Sequence, residues 1–284
     1  MGVRAVTPPE SKYWVDFTYW IEEREQIRIK KEDLKTPPPW TKDRIMATTR
    51  FCNIRREDDK VTRWIRQNWS DPNFDHPNLA FSMCLARIVN WPETLMALGF
   101  PDVWSPAQFI SRMTELSQGG SRKIWGGAYM VTGGYSAGGE TKQLIMSRCL
   151  EEAFVHAAEI NTSYSCEQAF REITQARGFS TFLGAQVVAD LKYTPLLSGS
   201  RDRLIFCAPG PGSTMGLNFL HGREPKASIT FDRFFQEVNE IRYWLEENLV
   251  TLDAHDTQNC LCEFSKYVRI KYLGGRAKNG YKAC

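Results

Sequence analysis

Long apolar stretches are missing from this 284-residue chain: no run of 18 apolar residues occurs, so no segment reads as a membrane span. The first ten residues, MGVRAVTPPE, hold no apolar core and do not read as a secretory signal, which points to a cytoplasmic protein. Histidine is scarce. His76, His156, His221 and His255 lie in unrelated surroundings, and no H-x-E, H-E-x-x-H or P-C-x-x-C pattern accompanies them. That argues against a zinc deaminase or zinc hydrolase. No G-x-S-x-G is present, so no nucleophile elbow is expected, and no G-x-x-x-x-G-K-[ST], so ATP is not expected to be held in the P-loop manner. The eight cysteines are scattered through apolar surroundings and make no disulfide framework. Cys260 and Cys262 have no second pair to complete a structural metal site. Strand-like alternation is rare, and there is no internal repeat or low-complexity tract.

What the chain does have is ordinary bulk and uneven charge. Apolar residues make up 42% and charged residues 24%, a balance that suits a globular protein with a substantial core. Net charge is only +3, yet Phe264 to Cys284 carries Lys266, Arg269, Lys271, Arg276, Lys278 and Lys282 with no acid. A second basic cluster comprises Arg50, Arg55, Arg56, Lys60, Arg63 and Arg66. Such patches fit a polyanion bound along one face; the plainer reading is a solubilising tail.

Residues 1–12 read as an arm, 13–273 as a single helical domain in one or two lobes, and 274–284 as a basic tail. Trp14, Phe17 and Ile21 at helical spacing predict a helix from Tyr13 to Leu34, stopped by Pro37, Pro38 and Pro39. Thr41 reads as the N-cap of a helix running toward Phe51, and Asp58 or Asp59 as the cap of the next. Prolines near their starts predict helices over 77–90, 92–98 and 106–117. Gly119 to Gly139 reads as a short hairpin or an irregular loop. Helices are expected from Glu140 to Asn161, from a Ser165 cap to about Arg177, and from Phe182 to Lys192. A glycine/proline loop begins at Phe206 and extends to Gly222, before helices at 231–249 and 258–271. The expected class is all-α.

Four constellations can carry chemistry. Arg50, Asn53, Arg56, Asp59 and Arg63 recur at steps of three and four, so much of their charge shares a helical face. Asn can contact a base edge bidentately and Arg can fork onto phosphate; the alternative is a buried Arg–Asp network clamping the N-terminal helix. FREITQARGFSTFLGAQVVADL, Phe170 to Leu191, reads as helix, glycine turn and helix. Gly178 permits the turn, and the amides of Ser180 and Thr181 open a helix whose free N–H groups and dipole suit phosphate; an ordinary αα-hairpin is the alternative. Asp190, on that second helix, is either a pocket acid or a salt-bridge partner. In APGPGS, Gly210, Gly212 and Ser213 form either a nest of amides for an anion or a structural turn. Finally, Glu263, Lys266 and Arg269 lie one turn apart, placed either to take a proton and hold phosphates or to form a plain intrahelical ion pair.

The blocks PPPWTKDRIMATTRFCNIRREDDKVTRW, GGAYMV, GFSTFLGAQVVADL, APGPGSTMGLN and LCEFSKYVR occur in this order between about Tyr13 and Tyr281. Together they resemble the helical domain associated with 5-hydroxymethyluridine DNA kinases. They also resemble the related alpha-glutamyl/putrescinyl thymine pyrophosphorylases, the amino acid:DNA transferases of bacteriophages. The resemblance implies a DNA-glycosylase-like helix–hairpin–helix fold and a role in thymidine hypermodification in the host cytoplasm. In such pathways 5-hydroxymethyluracil in DNA is converted to a pyrophosphate ester, and a transferase replaces pyrophosphate with an amine or amino acid. The implied partners are DNA carrying modified thymine, the amine or amino acid, and a separate 5-hydroxymethyluridine DNA kinase. With no P-loop, the chain is expected to be the transferase; a module that binds the modified base for a kinase is the alternative. A true glycosylase is disfavoured, because Pro209 to Ser213 stands where that layout keeps its catalytic aspartate. The implied mechanism flips the target nucleotide and stacks its base on Trp40, Phe51 or Tyr129. Arg50, Arg56 and Lys266 then steady the departing pyrophosphate, and Asp59, Asp190 or Glu263 takes the proton of the incoming ammonium. No cofactor is required, although Mg²⁺ could accompany the pyrophosphate.

Overall fold

The structure is a computed structural model and describes residues 11–119, 123–127 and 140–276. The expected arm before Ser11, the glycine-rich residues 128–139 with Tyr129 among them, and the tail beyond Arg276 lie outside the described residues. Within them the regular structure is helical, with no strand. The α-helices are α1 (Lys12–Arg28), α2 (Arg44–Thr48), α3 (Lys60–Ile65), α4 (Leu79–Val89), α5 (Pro92–Leu98), α6 (Pro106–Gln118), α7 (Lys142–Ile160), α8 (Cys166–Ile173), α9 (Thr181–Leu191), α10 (Pro211–Leu220), α11 (Phe231–Asn248) and α12 (Ala254–Tyr272). No helix among the described residues is long and apolar enough to cross a membrane. The chain forms two compact units, one of Met1–Asp59 with Leu204–Cys284 and the other of Lys60–Arg203.

In the first unit α1 buries Trp14, Phe17, Trp20 and Ile21, a stripe at three- and four-residue steps, against Phe219, Phe234 and Phe264. Phe17 meets Phe264 edge-on at 5.1 Å, a geometry aromatic rings favour. The helix widens into a π turn over Ile29–Asp33 and is closed by Lys35 at φ 51°, before the three prolines are reached. Thr41 does not cap α2. Asp43 does, its carboxylate accepting from the N–H groups of Ile45 (2.8 Å) and Met46 (3.0 Å), while the Thr41 hydroxyl accepts from Asp43 N–H. The helix ends at Thr48, short of Phe51.

The largest departure from the sequence reading is α10. Most of Phe206–Gly222 is helix rather than loop, with Pro211 at the first position, where no N–H is needed. Its glycines serve packing. A Cβ on Gly212 would overlap the Cys262 sulfur, and one on Gly216 the Leu261 carbonyl oxygen. These two residues, four apart on one face, let α10 lie directly against α12.

Beyond α10, Glu237 accepts two hydrogen bonds from Arg223 (2.7 and 2.6 Å) and one from Arg233 (2.8 Å), with His221 Nε2 at 3.5 Å. Burial alone would raise the Glu237 pKa, but the guanidinium hydrogen bonds win and hold it below its usual value. Burial also lowers that of His221. A folded-state pKa below the unfolded one means stability that is present above the unfolded pKa and lost as pH falls. The loss should begin in the histidine range, below about pH 6.5, and continue through the carboxylate range, below about pH 4.3. Glu237→Gln is expected to cost about 1–3 kcal/mol at pH 7. Its deficit should shrink as the wild-type carboxylate becomes protonated, as urea unfolding across a pH series would show.

In the second unit every residue of α4 is buried, with α5, α7 and α9 packed around it. One charge sits in this apolar helix. Arg87 is 0% exposed and forks onto Asp190 of α9, with Nη2–Oδ1 at 2.6 Å and Nε facing Oδ2, and also reaches Thr62 (3.1 Å) and Asn90 (3.2 Å). Helices α5 and α6 start at their prolines, and Ser165 caps α8 by accepting from Gln168 N–H at 3.1 Å. α8 ends at Ile173, earlier than expected, and turns lead through Gly178, at φ 86°, to α9.

Candidate functional site

The densest arrangement of predicted site residues lies in the first unit, where Arg50–Arg56 runs along one face of α12. That face is polar at steps of three, four and three: Asp256, Asn259, Glu263 and Lys266. Each of the four reaches the backbone of the segment. Lys266 Nζ donates to Arg50 O (2.9 Å), Glu263 Oε2 accepts from Cys52 N–H (3.0 Å), Asn259 donates to Asn53 O (3.4 Å), and Asp256 accepts from Arg56 N–H (2.9 Å). The segment and the helix run in opposite directions. With its backbone committed to helix side chains, residues 49–55 form no helix, Arg56–Asp58 makes a 3₁₀ turn, and α3 starts only at Lys60. Arg50, Asn53, Arg56, Asp59 and Arg63 therefore do not share a helical face.

The other side of the segment is held by α1. Arg24 Nε donates to Cys52 O (2.9 Å) and its Nη2 to Asn53 Oδ1, while Asn53 Nδ2 donates to Asp58 O (2.8 Å). Asn53 thus clips the turn. Burial draws the Arg24 pKa below the usual arginine value. Arg55 pairs with Glu25 at 3.1 Å, and Arg28 spans Glu25, Asp33 and Asp58.

On the face of this clamp Lys266 Nζ lies 2.7 Å from Glu263 Oε2 and 4.7 Å above the Phe51 ring. Glu263 Oε2 is doubly engaged, whereas Oε1 has no partner among the described residues and is not buried. Arg50, whose carbonyl takes the Lys266 hydrogen bond, and Arg269, one turn beyond Lys266 on α12, are exposed. Phe51 is no stacking platform: it is 7% exposed and packs edge-on against Trp20 at 5.8 Å. Trp40 is half-buried, its indole N–H bound to Thr36 O (2.8 Å), with Lys31 over its ring at 5.2 Å.

The start of α10 abuts the same helix α12. Ser213 is fully buried; its hydroxyl donates to Gly210 O (3.0 Å) and accepts from Gly210 N–H (3.0 Å) and Gln258 Nε2 (3.1 Å). The Gly210 amide and the Ser213 hydroxyl are thus consumed internally, and Gly212 is a packing residue. The nest expected of these three residues is largely a helix cap.

Arg63, Gly178, Ser180, Thr181 and Asp190 belong to the second unit. Ser180 and Thr181 are exposed at the start of α9, where the Ser180 side chain caps none of the first-turn amides. Both Asp190 oxygens accept from Arg87, which makes it a structural ion-pair partner. Asp59 is half-buried, its N–H bound to Arg56 O at 2.9 Å. Among the described residues no cluster of His, Cys, Asp or Glu is placed to hold a metal, and the cysteines are free thiols. Arg24, Asp256 and Asn259 were not among the predicted site residues; the periodic polar face of α12 was the available signal for the last two.

Comparison with known proteins adds to this geometry. The family model for the helical domain of 5-hmdU DNA kinase matches residues 11–274. The 5-hmdU DNA kinase of Bacillus phage SP10 is 24% identical over 306 residues, covering 94% of this chain and 47% of that protein. The chain therefore spans about half the length of this curated relative. No solved structure matches it.

Proposed function

This chain belongs to the family of the 5-hmdU DNA kinase helical domain, and from that premise we propose that it modifies DNA carrying 5-hydroxymethyluracil-derived bases. The reaction is the exchange of pyrophosphate, on a pyrophosphorylated hydroxymethyl group, for an amine or amino acid. One observation carries this reading: a carboxylate with an oxygen left without a partner among the described residues, Glu263, hydrogen-bonded to Lys266 on α12, with Arg269 exposed one turn on and Arg50, whose carbonyl Lys266 holds, exposed as well. Loss of pyrophosphate leaves an exocyclic methylene on the uracil ring. The amine nitrogen then adds to that carbon, and Glu263 Oε1 accepts the proton the ammonium must lose. Lys266, Arg50 and Arg269 offset the charge of the departing anion. No protein ligand is assigned to Mg²⁺, which would travel with the pyrophosphate. In the second unit, the first turn of α9 at Ser180 and Thr181 offers DNA phosphates a separate hold, worth roughly 0.3–1 kcal/mol per contact. That role would suit a glycosylase-like layout in which the base is extrahelical.

The test is incubation with DNA bearing the pyrophosphate ester and a pool of amines. Pyrophosphate release and an amine-bearing base by mass spectrometry are expected; no product with any amine, cell extract included, defeats the proposal. Glu263→Gln should cut turnover by about 100-fold. Its melting temperature and DNA affinity should hold, because the amide oxygen can still accept from Cys52 N–H.

A second reading is a non-catalytic module that grips the modified base beside a separate kinase. It is favoured by the commitment of Asp256 and one Glu263 oxygen to holding backbone. It predicts selective, steeply salt-dependent binding to 5-hydroxymethyluracil DNA and no turnover.

A further inference from the structure

The second unit carries an open groove of about 490 Å³, lined on its apolar side by Leu85, Leu98, Phe100, Trp104 and Phe109. Val103, also in the lining, is 81% exposed, and Met96 is exposed on α5, the helix that supplies Leu98. Apolar surface left open in this way marks an interaction site. The aromatic walls are held in place: Phe100 packs on Trp69 at 5.4 Å, and Trp104 meets Phe81 at 4.9 Å and Phe109 at 5.6 Å. The polar lining groups Asp102, Gln108, Ser111 and Arg112 are all exposed and so form a rim. The charge around that rim is mostly of one sign. Between Asp71 and Gln118 the chain has five acids (Asp71, Asp75, Glu93, Asp102 and Glu115) and two bases, in a protein with 33 acids and 36 bases overall. Both bases are engaged: Arg87 is buried against Asp190, and Arg112 pairs with Glu115 at 3.1 Å. Hydrogen bonds place the acids at the groove. Asn78 Nδ2 donates to the Pro101 and Asp102 carbonyls, each at 2.9 Å, which ties residues 75–78 to the rim, and Glu115 accepts from Ser111 and Arg112, both at 3.1 Å.

We propose that this groove docks a protein partner through a basic amphipathic helix. The apolar face of that helix lies against Phe100, Val103 and Trp104, and its Lys or Arg side chains reach Asp102 and Asp75. An amphipathic helix laid in an apolar groove is a recurrent mode of recognition. Burial of the apolar anchors supplies affinity, while the rim carboxylates select the sign of the partner's charge and speed its approach. Nucleic acid would bring phosphates against the same carboxylates, and an acidic helix would be repelled by them. The inference rests on the groove and its rim and does not require the transfer reaction.

Fluorescence-anisotropy titration of the intact chain tests it, with three labelled helical peptides as probes: an amphipathic Leu/Lys peptide, a Leu/Glu peptide with the same apolar face, and a Ser/Lys peptide of the same charge. The Leu/Lys peptide should bind about tenfold more tightly than either control at low salt, and its advantage over the Leu/Glu peptide should shrink as salt screens the rim. Asp102→Lys should weaken the Leu/Lys peptide severalfold and strengthen the Leu/Glu one. Val103→Ser should weaken both Leu-bearing peptides. Both changes fall on exposed side chains, so the variants are expected to fold. Absence of Leu/Lys binding, equal affinity for the Leu/Glu or Ser/Lys peptide, or undiminished binding in both variants would overturn the assignment. It would equally be overturned by a dimer of the chain that Val103→Ser dissolves, or by an oligonucleotide that binds the wild type and loses affinity with Val103→Ser. None of these results bears on the pyrophosphate-exchange assay.

Discussion

Asp190→Ala is expected to destabilise the second unit by about 3–5 kcal/mol, a large part of a typical folding free energy of roughly 5–15 kcal/mol. The reason is the partner left behind. Arg87 is completely buried in α4, and the hydrogen bonds it makes to Thr62 and Asn90 go to neutral groups. Without the carboxylate a fully buried guanidinium loses the counter-charge onto which it forks. Asp190→Asn should be milder, because an amide oxygen can still accept one hydrogen bond. The joint replacement R87M/D190L should recover most of the loss, since exchanging a whole buried pair for apolar residues of similar volume is often neutral. Chemical denaturation of the three variants checks the order. The double variant also separates structure from chemistry: a folded R87M/D190L that turns over normally removes Asp190 from the reaction. Abolished turnover in that folded protein would return it to the list of proton acceptors.

The parts of the fold legible in the sequence are those governed by local chemistry. Pro92 and Pro106 mark the starts of α5 and α6, Ser165 caps α8, and Gly178 turns the chain before α9. Asp190 was readable as either a pocket acid or a salt-bridge partner, but nothing local tied it to Arg87, 103 positions away. Long-range pairings were invisible for the same reason. Asp256 and Glu263 bind backbone N–H groups 200 and 211 positions earlier, so the Arg-rich segment lies extended along α12 where local spacing suggested a helix. Phe51 was expected as a stacking ring and Ser213 as part of either an anion nest or a structural turn; the core aromatics and the Gly210 cap claim them. The pair Glu263 and Lys266 survives as a candidate because helical spacing alone fixes its two members one turn apart.

The glycines of α10 give the second large expectation. Local propensity favours Gly216→Ala by about 1 kcal/mol, because alanine is the better helix former. Packing opposes it more strongly. The new methyl would overlap the Leu261 carbonyl oxygen, a backbone atom in the middle of α12 that cannot rotate away. Either α10 or α12 must shift, disturbing the core that Leu217, Phe219, Leu261 and Phe264 share. The net cost should be about 3 kcal/mol, at the upper end of overpacking penalties. Gly212→Ala meets a side-chain atom instead, the Cys262 sulfur, so the cost should be smaller and relieved by Cys262→Ala in the same chain. No comparable relief is available at Gly216. Urea unfolding of the two glycine variants and of G212A/C262A decides the matter. If α10 were held by an anion at its N-terminus rather than by this close contact, pyrophosphate would restore Gly216→Ala to wild-type stability. Restoration is not expected, because the overlap with Leu261 remains whatever occupies the helix start.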